Sequence, residues 1–238
     1  MFKLDKIKLK EFHIPRRFLE WGVVGLAILI CTVLAVSFWF NFTTGPVQDV
    51  GSLDYLEESK VNLEIIYDLS GSMWGEVDGQ RKYEVGQELI KEIIANLPDN
   101  VALGLRLIGA TTEKDPWDTN LVVKPQVSSR EGQISILEEV RPKGMSPLGY
   151  ALQEAGKDLA NLPGERHIIL VTDGKDNGLL PPARIVQELK GMGIRVHVFD
   201  VEGSWPASAF LKTLSDISGG KYFTSDDQEL VITTFAID

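Results

Sequence analysis

The sequence has very little cysteine: Cys31 is the only one among 238 residues. A single cysteine cannot form an intrachain disulfide, and it cannot supply the cysteine pairs of a structural zinc site. Cys31 lies inside a long uncharged run, so we expect it to be an apolar helix residue. A large core and a bound cation can stabilise a domain without disulfides. The lack of disulfides therefore does not exclude an extracytoplasmic location.

Catalytic signatures are also scarce. The chain has three histidines, His13, His167 and His197, and no G-x-S-x-G elbow or glycine-rich phosphate loop with a following lysine. A phosphatase with an aspartyl nucleophile would carry a second acid two residues after Asp68, where this chain has Ser70. We therefore expect a protein that is not an enzyme. Metal-assisted hydrolysis is the enzymatic alternative, because Mg²⁺ with open positions can act as a Lewis acid.

Positive charge is scarce as well, since the formal net charge is -10. Residues 1–20 are an exception, with six basic against three acidic side chains, and residues 21–40 carry no charge. The rest of the chain is therefore strongly acidic. An acidic surface repels a phosphate backbone, so a nucleic-acid partner is disfavoured.

The uncharged run 21–40 is long enough to cross a membrane. Twenty residues at about 1.5 Å each span roughly 30 Å, the thickness of a hydrocarbon core. Trp21 and Trp39 lie near its two ends, as in interfacial aromatic belts. The alternative is a cleaved signal peptide, but its apolar region would usually be only about 7–15 residues long. We predict an uncleaved single-pass transmembrane helix.

This anchor fixes the expected domain order. The basic segment 1–20 is predicted to be cytoplasmic, because positive flanks stay inside. Residues 41–60 are predicted to be a linker, broken by Gly45 and Pro46. Residues 61–238 then form one extracytoplasmic domain, which is periplasmic or extracellular at the cell (inner) membrane.

Strands and helices alternate through this domain, which predicts a doubly wound, mostly parallel central sheet flanked by helices. The apolar runs and the residue periodicity predict strands at 61–67, 101–108, 121–123, 167–171, 194–201 and 221–223. The same reasoning predicts helices at 82–97, 132–140, 148–162, 181–192, 207–217 and, at the tail, 226–237.

Three short motifs carry the chemistry. Asp68, Ser70 and Ser72 follow the first buried strand, where open α/β sheets bind their ligands. Ser146 precedes Pro147, which suits a first helical position and predicts an N-cap with an exposed hydroxyl. An apolar strand ends at Asp173, followed by glycine. Taken singly, these motifs are also typical of a polar loop, a helix cap and a turn acid. Together they offer only oxygen, which suits a hard cation such as Mg²⁺.

The three motifs together resemble the metal-ion-dependent adhesion site of von Willebrand factor type A domains. In that family the D-x-S-x-S pattern is the first element, represented here by Asp68, Ser70 and Ser72. A threonine or serine before proline is another element, here Ser146, although threonine is commoner. An aspartate at a strand end is the last, here Asp173.

The resemblance extends beyond the site and covers roughly residues 61–238. Residues 70–75, Asp78, Gly79 and Lys82 are similar to a bacterial subgroup of these domains. The resemblance implies a Rossmann-like fold. It also implies that the serine hydroxyls lie close to a divalent cation, Mg²⁺ or alternatively Mn²⁺ or Ca²⁺. The two aspartates would act largely through water and hold the hydroxyls in place.

By the same resemblance, the expected function is that of a membrane-anchored module that binds a protein partner. The bound cation would recognise an aspartate or glutamate of that partner. The alternative is a scaffold subunit of a membrane complex that uses its sheet edge or anchor and no metal. We expect Trp74 either to rim the site or to fold back over its loop. We expect Glu76, Asp78 and Asp115 to be solvated loop acids.

Overall fold

The computed structural model describes residues 61–128, 130–227 and 234. The predicted cytoplasmic segment 1–20, anchor 21–40 and linker 41–60 lie outside the described residues, as does nearly all of the predicted tail helix. Within the described ranges, no helix is both long enough and apolar enough to cross a membrane.

A six-stranded sheet forms the centre of the domain, with the strand order β5-β4-β1-β6-β7-β8. All neighbouring strands are parallel except β5, which runs antiparallel to β4. The mostly parallel α/β architecture is therefore confirmed. The strands of this sheet are β1 (Val61–Asp68), β4 (Val101–Ile108), β5 (Thr119–Gln126), β6 (Glu165–Thr172), β7 (Ile194–Asp200) and β8 (Tyr222–Thr224).

Helices cover both faces of the sheet, which explains why its central strands are apolar on both sides. On one face Leu63 and Ile65 of β1 pack in one core with Leu89 and Ile93 of α1. On the other face Ile66 belongs to a second core with residues of α3, α4 and α5. The helices are α1 (Lys82–Asn96), α2 (Glu131–Glu139), α3 (Leu148–Leu159), α4 (Pro182–Gly191) and α5 (Ala207–Ser218).

The edge of the sheet differs from the prediction in length. The predicted strand 121–123 is part of β5, which is eight residues long and alternates between partly buried and exposed positions. Pro125 lies in this strand, where a missing N–H is tolerated because an outer edge has no partner. The strand itself was predicted correctly, and its length was underestimated.

A small hairpin was missed by the sequence prediction. β2 (Glu76–Val77) and β3 (Gln80–Arg81) pair antiparallel across Asp78 and Gly79. Both turn residues have positive φ, 51° and 82°, as a two-residue hairpin turn of this kind requires. A 3-10 helix, Gly71–Trp74, connects β1 to this hairpin.

The topology places a crevice at the carboxyl ends of β1 and β6. From β1 the chain moves outward to β4 and β5, and then crosses back to β6 on the other side of β1. Strand order therefore reverses between β1 and β6. Ligands of open α/β sheets bind at such a switch point.

Candidate metal-binding site

Three loops meet at this crevice and are tied to one another by backbone hydrogen bonds. Ser70 forms an isolated parallel bridge with Gly144. The Gly71 N–H donates to the Gly144 carbonyl at 2.9 Å, and the Lys143 N–H donates to the Leu69 carbonyl at 2.9 Å. These bonds bring the loop before α3 onto the loop after β1, with β6 ending beside both.

Asp68 is fully buried at the centre of the site. Its Oδ1 accepts a hydrogen bond from the Ser70 N–H at 2.9 Å. Its Oδ2 accepts from the Ser146 hydroxyl at 2.9 Å and from the Thr172 hydroxyl at 2.6 Å. Burial raises the pKa of the Asp68 carboxyl, and the hydrogen bonds from Thr172 and Ser70 oppose that rise.

Asp173 is also buried, but its surroundings are cationic. Its Oδ1 accepts from the Ser72 hydroxyl at 3.1 Å and from the Lys175 N–H at 3.2 Å. Its Oδ2 accepts from Lys82 Nζ at 3.0 Å and lies 3.4 Å from Lys175 Nζ. Burial alone would raise the pKa of Asp173, but the hydrogen bonds and charges of Lys82 and Lys175 together outweigh it and hold that pKa below its ordinary value.

The five predicted site residues thus lie in one connected cluster. Ser70 Oγ and Ser72 Oγ are 3.2 Å apart, and each serine hydroxyl except that of Ser70 donates to one of the two aspartates. Ser72 and Ser146 direct their protons to the two acids, so the lone pairs of these two hydroxyl oxygens stay available to a cation.

The donor set fits a hard divalent cation held mainly through hydroxyl oxygens. Within the described ranges, no three histidine, cysteine, aspartate or glutamate side chains come together as a metal-binding group. A carboxylate cage or a nitrogen–sulfur site therefore does not form there. Serine hydroxyls and two carboxylates are oxygen ligands, which Mg²⁺, Mn²⁺ and Ca²⁺ prefer.

The prediction that Ser146 caps α3 with an exposed hydroxyl is wrong. α3 begins at Leu148, and its first N–H donates to Asp176 Oδ1 at 3.2 Å. Ser146 is fully buried, and its hydroxyl is engaged by Asp68. Asn177 holds the Ser146 backbone, accepting from its N–H at 2.6 Å. The cap is supplied by the loop after β6, which frees Ser146 for the site.

Four further residues of the site carried no predicted role. Thr172 holds Asp68, as described above. Lys82 begins α1, and its side chain is only 4% exposed where it pairs with Asp173 and Glu202. Lys175 Nζ lies 3.6 Å from Glu202 Oε2. The sequence offered one signal for this cluster. Lys82 shares a helix face with apolar residues, and it is the one charged residue among those that α1 buries.

Trp74 is both anchored and accessible. Its Nε1–H donates to the Pro142 carbonyl at 2.9 Å, and its ring meets Tyr83 edge-on with centroids 5.0 Å apart. It is still 41% exposed. The ring therefore combines features of both predictions, since it packs on its loop while it presents one side to solvent. Glu76 and Asp78 are exposed, and Asp115 is partly exposed.

Comparisons with known proteins agree with this architecture. The chain is 24% identical over 202 residues to the uncharacterized protein YwmC of Bacillus subtilis, covering 80% of this chain and 89% of that one. An aerotolerance-related membrane protein from Bacteroides fragilis superposes with a TM-score of 0.61 at 19% identity, over 74% of this chain and 96% of that chain.

A second similar structure holds a metal. Proximal thread matrix protein 1 from the mussel byssus, with a zinc-occupied MIDAS motif, superposes with a TM-score of 0.55 at 14% identity. The match covers 75% of this chain and 48% of that one. The von Willebrand factor type A domain model matches residues 61–224, which is well over half of the chain. The chain therefore belongs to the von Willebrand factor type A domain family.

Proposed function

We propose that the protein is a membrane-anchored module that binds a protein partner through a divalent cation, and that the cation recognises an aspartate or glutamate of that partner. One observation carries the proposal. Two serine hydroxyls donate hydrogen bonds to two buried aspartates, and lysine side chains offset the negative charge of one of those aspartates.

Ser70, Ser72 and Ser146 are the residues that would hold the cation, through their hydroxyl oxygens. Asp68 and Asp173 orient the hydroxyls of Ser146 and Ser72 by accepting their protons, and Asp68 also holds the Ser70 backbone N–H. The cation, when bound, supplies positive charge and an exchangeable position for a carboxylate. Mg²⁺ is our first choice, with Mn²⁺ and Ca²⁺ as alternatives, because all three take oxygen ligands and keep water.

The charges around the site support a carboxylate as the recognised group. With their carboxyls ionised, Asp68, Asp173 and Glu202 carry three negative charges, and Lys82 and Lys175 offset two of them. A divalent cation therefore turns a net charge of one negative into one positive. A single partner carboxylate restores neutrality in a partly buried setting, where opposite charges attract strongly.

The positions of the histidines support binding rather than catalysis. His167 lies six residues before Asp173, roughly 20 Å along an extended strand. His197 lies next to it, with His197 Nε2 3.0 Å from His167 Nδ1. Neither can serve as a general base at the site, because a base must reach its proton within hydrogen-bond distance or through one water.

The membrane part of the proposal rests on the uncharged run 21–40. One similar structure is that of a protein described as a membrane protein, which agrees with it. We propose that residues 1–20 are cytoplasmic and that the domain faces the periplasm or the cell exterior.

The proposal is tested by capturing partners from solubilised membranes with the tagged full chain, in Mg²⁺ and in EDTA. Ser72→Ala is compared with Ser135→Ala, an exposed serine on α2 that serves as the matched control. We expect the same partner with the wild type and Ser135→Ala in Mg²⁺, and its loss in EDTA and with Ser72→Ala. A partner retained under all conditions would contradict metal recognition and favour the metal-independent scaffold.

A further inference from the structure

An open groove lies directly beside the candidate metal site. It has a volume of about 420 Å³, which is within the range of sites that hold small ligands. One wall is the chain that follows β6, and the other is the loop after β7 with the first turn of α5. The lining residues include Gly174, Lys175, Glu202, Pro206, Ala207 and Phe210.

Gly174 joins the groove to the site. It follows Asp173 immediately and has a φ of +78°. A Cβ at this position would lie 3.1 Å from the Ala207 Cβ and 3.1 Å from Leu211. The backbone therefore lies against the start of α5, and the groove begins one residue, about 3.8 Å along the chain, from Asp173.

The two ends of the groove differ in polarity. Lys175 and Glu202 line the end that belongs to the metal site, and they pair at 3.6 Å. The rest of the lining, Ser204, Pro206, Ala207 and Phe210, carries no charge, and Ser204 is its one polar side chain. The groove therefore complements a ligand whose acid is followed, a short distance away, by an apolar group.

Exposed apolar side chains surround the same edge of the sheet. Trp205 is 82% exposed in the loop after β7, and Leu179 is 63% exposed in the loop after β6. Trp117 is 43% exposed in the loop between β4 and β5, at the end where β4 finishes. Large exposed apolar residues gathered at one place mark interaction sites, and tryptophan is a frequent anchor of interfaces.

We propose that the groove takes a large apolar side chain of the same protein partner, within about four residues of the acid that the cation binds. The inference rests on the proposed function, because it makes the groove the continuation of the carboxylate site. The partner is then recognised by a short motif of one acidic and one aromatic or large aliphatic residue. The cation binds the acid, and the groove selects the sequence around it.

The test uses blocked, glycine-rich peptides and the full chain in detergent with Mg²⁺. One series carries an aspartate and a phenylalanine one to four residues later, and a second series has alanine in place of the phenylalanine. A third series pairs asparagine with phenylalanine. Dissociation constants are measured by calorimetry for the wild type and for Ala207→Asp, which places a charge in the apolar end. Ala209→Asp, on an exposed position of the same helix, is the control, and Phe210→Ala is a second groove variant.

We expect at least one aspartate–phenylalanine peptide to bind about tenfold more tightly than its alanine counterpart, the gain expected from burying much of one aromatic side chain. The gain should vanish in Ala207→Asp and Phe210→Ala and persist in Ala209→Asp. Binding of the aspartate–alanine peptides should be the same in the wild type, Ala209→Asp and Phe210→Ala, and weaker in Ala207→Asp, whose added negative charge lies near the cation site.

Equal binding of the two aspartate series at every spacing would overturn the groove assignment and leave the proposed function standing. A gain that survives both groove variants would also overturn it. Asparagine–phenylalanine peptides that bind as tightly as their aspartate counterparts would contradict recognition of the acid by the cation, and with it the proposed function. If no aspartate peptide binds in Mg²⁺, the proposed function itself fails.

Discussion

Among single residues, Lys82 has the strongest influence on the charge of the site. Its ammonium is buried between Asp173 and Glu202. It therefore neutralises negative charge that would otherwise attract a metal ion. We expect Lys82→Met to bind Mg²⁺ at least about tenfold more tightly, because Asp173 and Glu202 lose one of the two lysines that pair with them. The same variant should bind an aspartate peptide more weakly, since its loaded site has less positive charge.

Lys91→Met is the matched control for this prediction, because Lys91 lies on the same helix and pairs with the exposed Glu138. Its Mg²⁺ affinity, measured by calorimetry, should equal that of the wild type. Unchanged or weaker Mg²⁺ binding by a folded Lys82→Met variant would show that the lysine does not compete with the cation.

Glu64 gives a residue-scale prediction for pH. Burial raises the pKa of its carboxyl to about 7, against the opposing effect of Arg106, from an ordinary value of 4.5. Between these two values the folded state binds more protons than the unfolded state, so the free energy of unfolding falls as pH rises. This decrease in the free energy of unfolding is complete above pH 7. It amounts to about 3 kcal/mol at most, at about 1.4 kcal/mol per pKa unit.

Urea unfolding from pH 5 to pH 8 measures this effect as the difference between the wild type and Glu64→Gln. We expect the wild type to lose stability relative to the variant across this range. Glu138→Gln removes an acid whose side chain is 61% exposed, and should show no such trend. A difference that stays constant or grows with pH would contradict the assignment.

Among the elements, the loop before α3 depends on a glycine for its close approach to the neighbouring loop. A Cβ on Gly144 would lie 2.0 Å from the Thr112 carbonyl oxygen, so any side chain must push the loop away from β4 and β1. We expect Gly144→Ala to cost about 1–3 kcal/mol of stability and to weaken metal binding, because this loop places Ser146. Thermal unfolding and metal titration measure the two effects.

Gly132→Ala is the matched control, because Gly132 lies in α2 with open space around its Cβ position. Alanine favours a helix over glycine, so this variant should be about as stable as the wild type or more stable by about 0.5–1 kcal/mol. A Gly144→Ala protein that matched the control in both measurements would show that the loop adapts freely.

Most elements could be predicted from the sequence because their apolar patterns are strong. The strand 101–108 and the start of α1 agree with the structure to the residue, since both are set by buried side chains. The hairpin at Asp78 and Gly79 was missed because two-residue strands have no periodicity to detect. The length of β5 was missed because an edge strand buries only part of each side chain.

The site was less predictable than the fold. The sequence predicted the five residues that gather, because they lie in motifs at strand ends or before a helix and those motifs resemble the metal site of a known family. It did not predict that Asp176 rather than Ser146 caps α3, or that Lys82 reaches Asp173 from ninety-one positions away. Such contacts depend on where loops meet in space, and no local pattern encodes that.

In the whole molecule, the site joins elements from distant parts of the chain, so metal binding should stabilise the fold. A ligand that binds only the folded state adds about 2.7 kcal/mol at a hundred times its dissociation constant. For a domain of this size we expect Mg²⁺ to raise the Tm by roughly 5–10 °C. Ser72→Ala should lose most of this rise, whereas Ser135→Ala should keep it. An equal rise in Tm in both variants would show that the stabilising cation binds at another site.

We expect the loaded site to keep a position for a carboxylate, and the relaxation of water protons near bound Mn²⁺ reports on that position. The full chain is loaded with Mn²⁺ and titrated with blocked aspartate, and blocked asparagine serves as the control. We predict that aspartate lowers the relaxation enhancement by replacing an exchangeable water and that asparagine leaves it unchanged. Failure to bind Mn²⁺, or the same response to both compounds, would contradict the proposal that the bound cation keeps a position for a carboxylate.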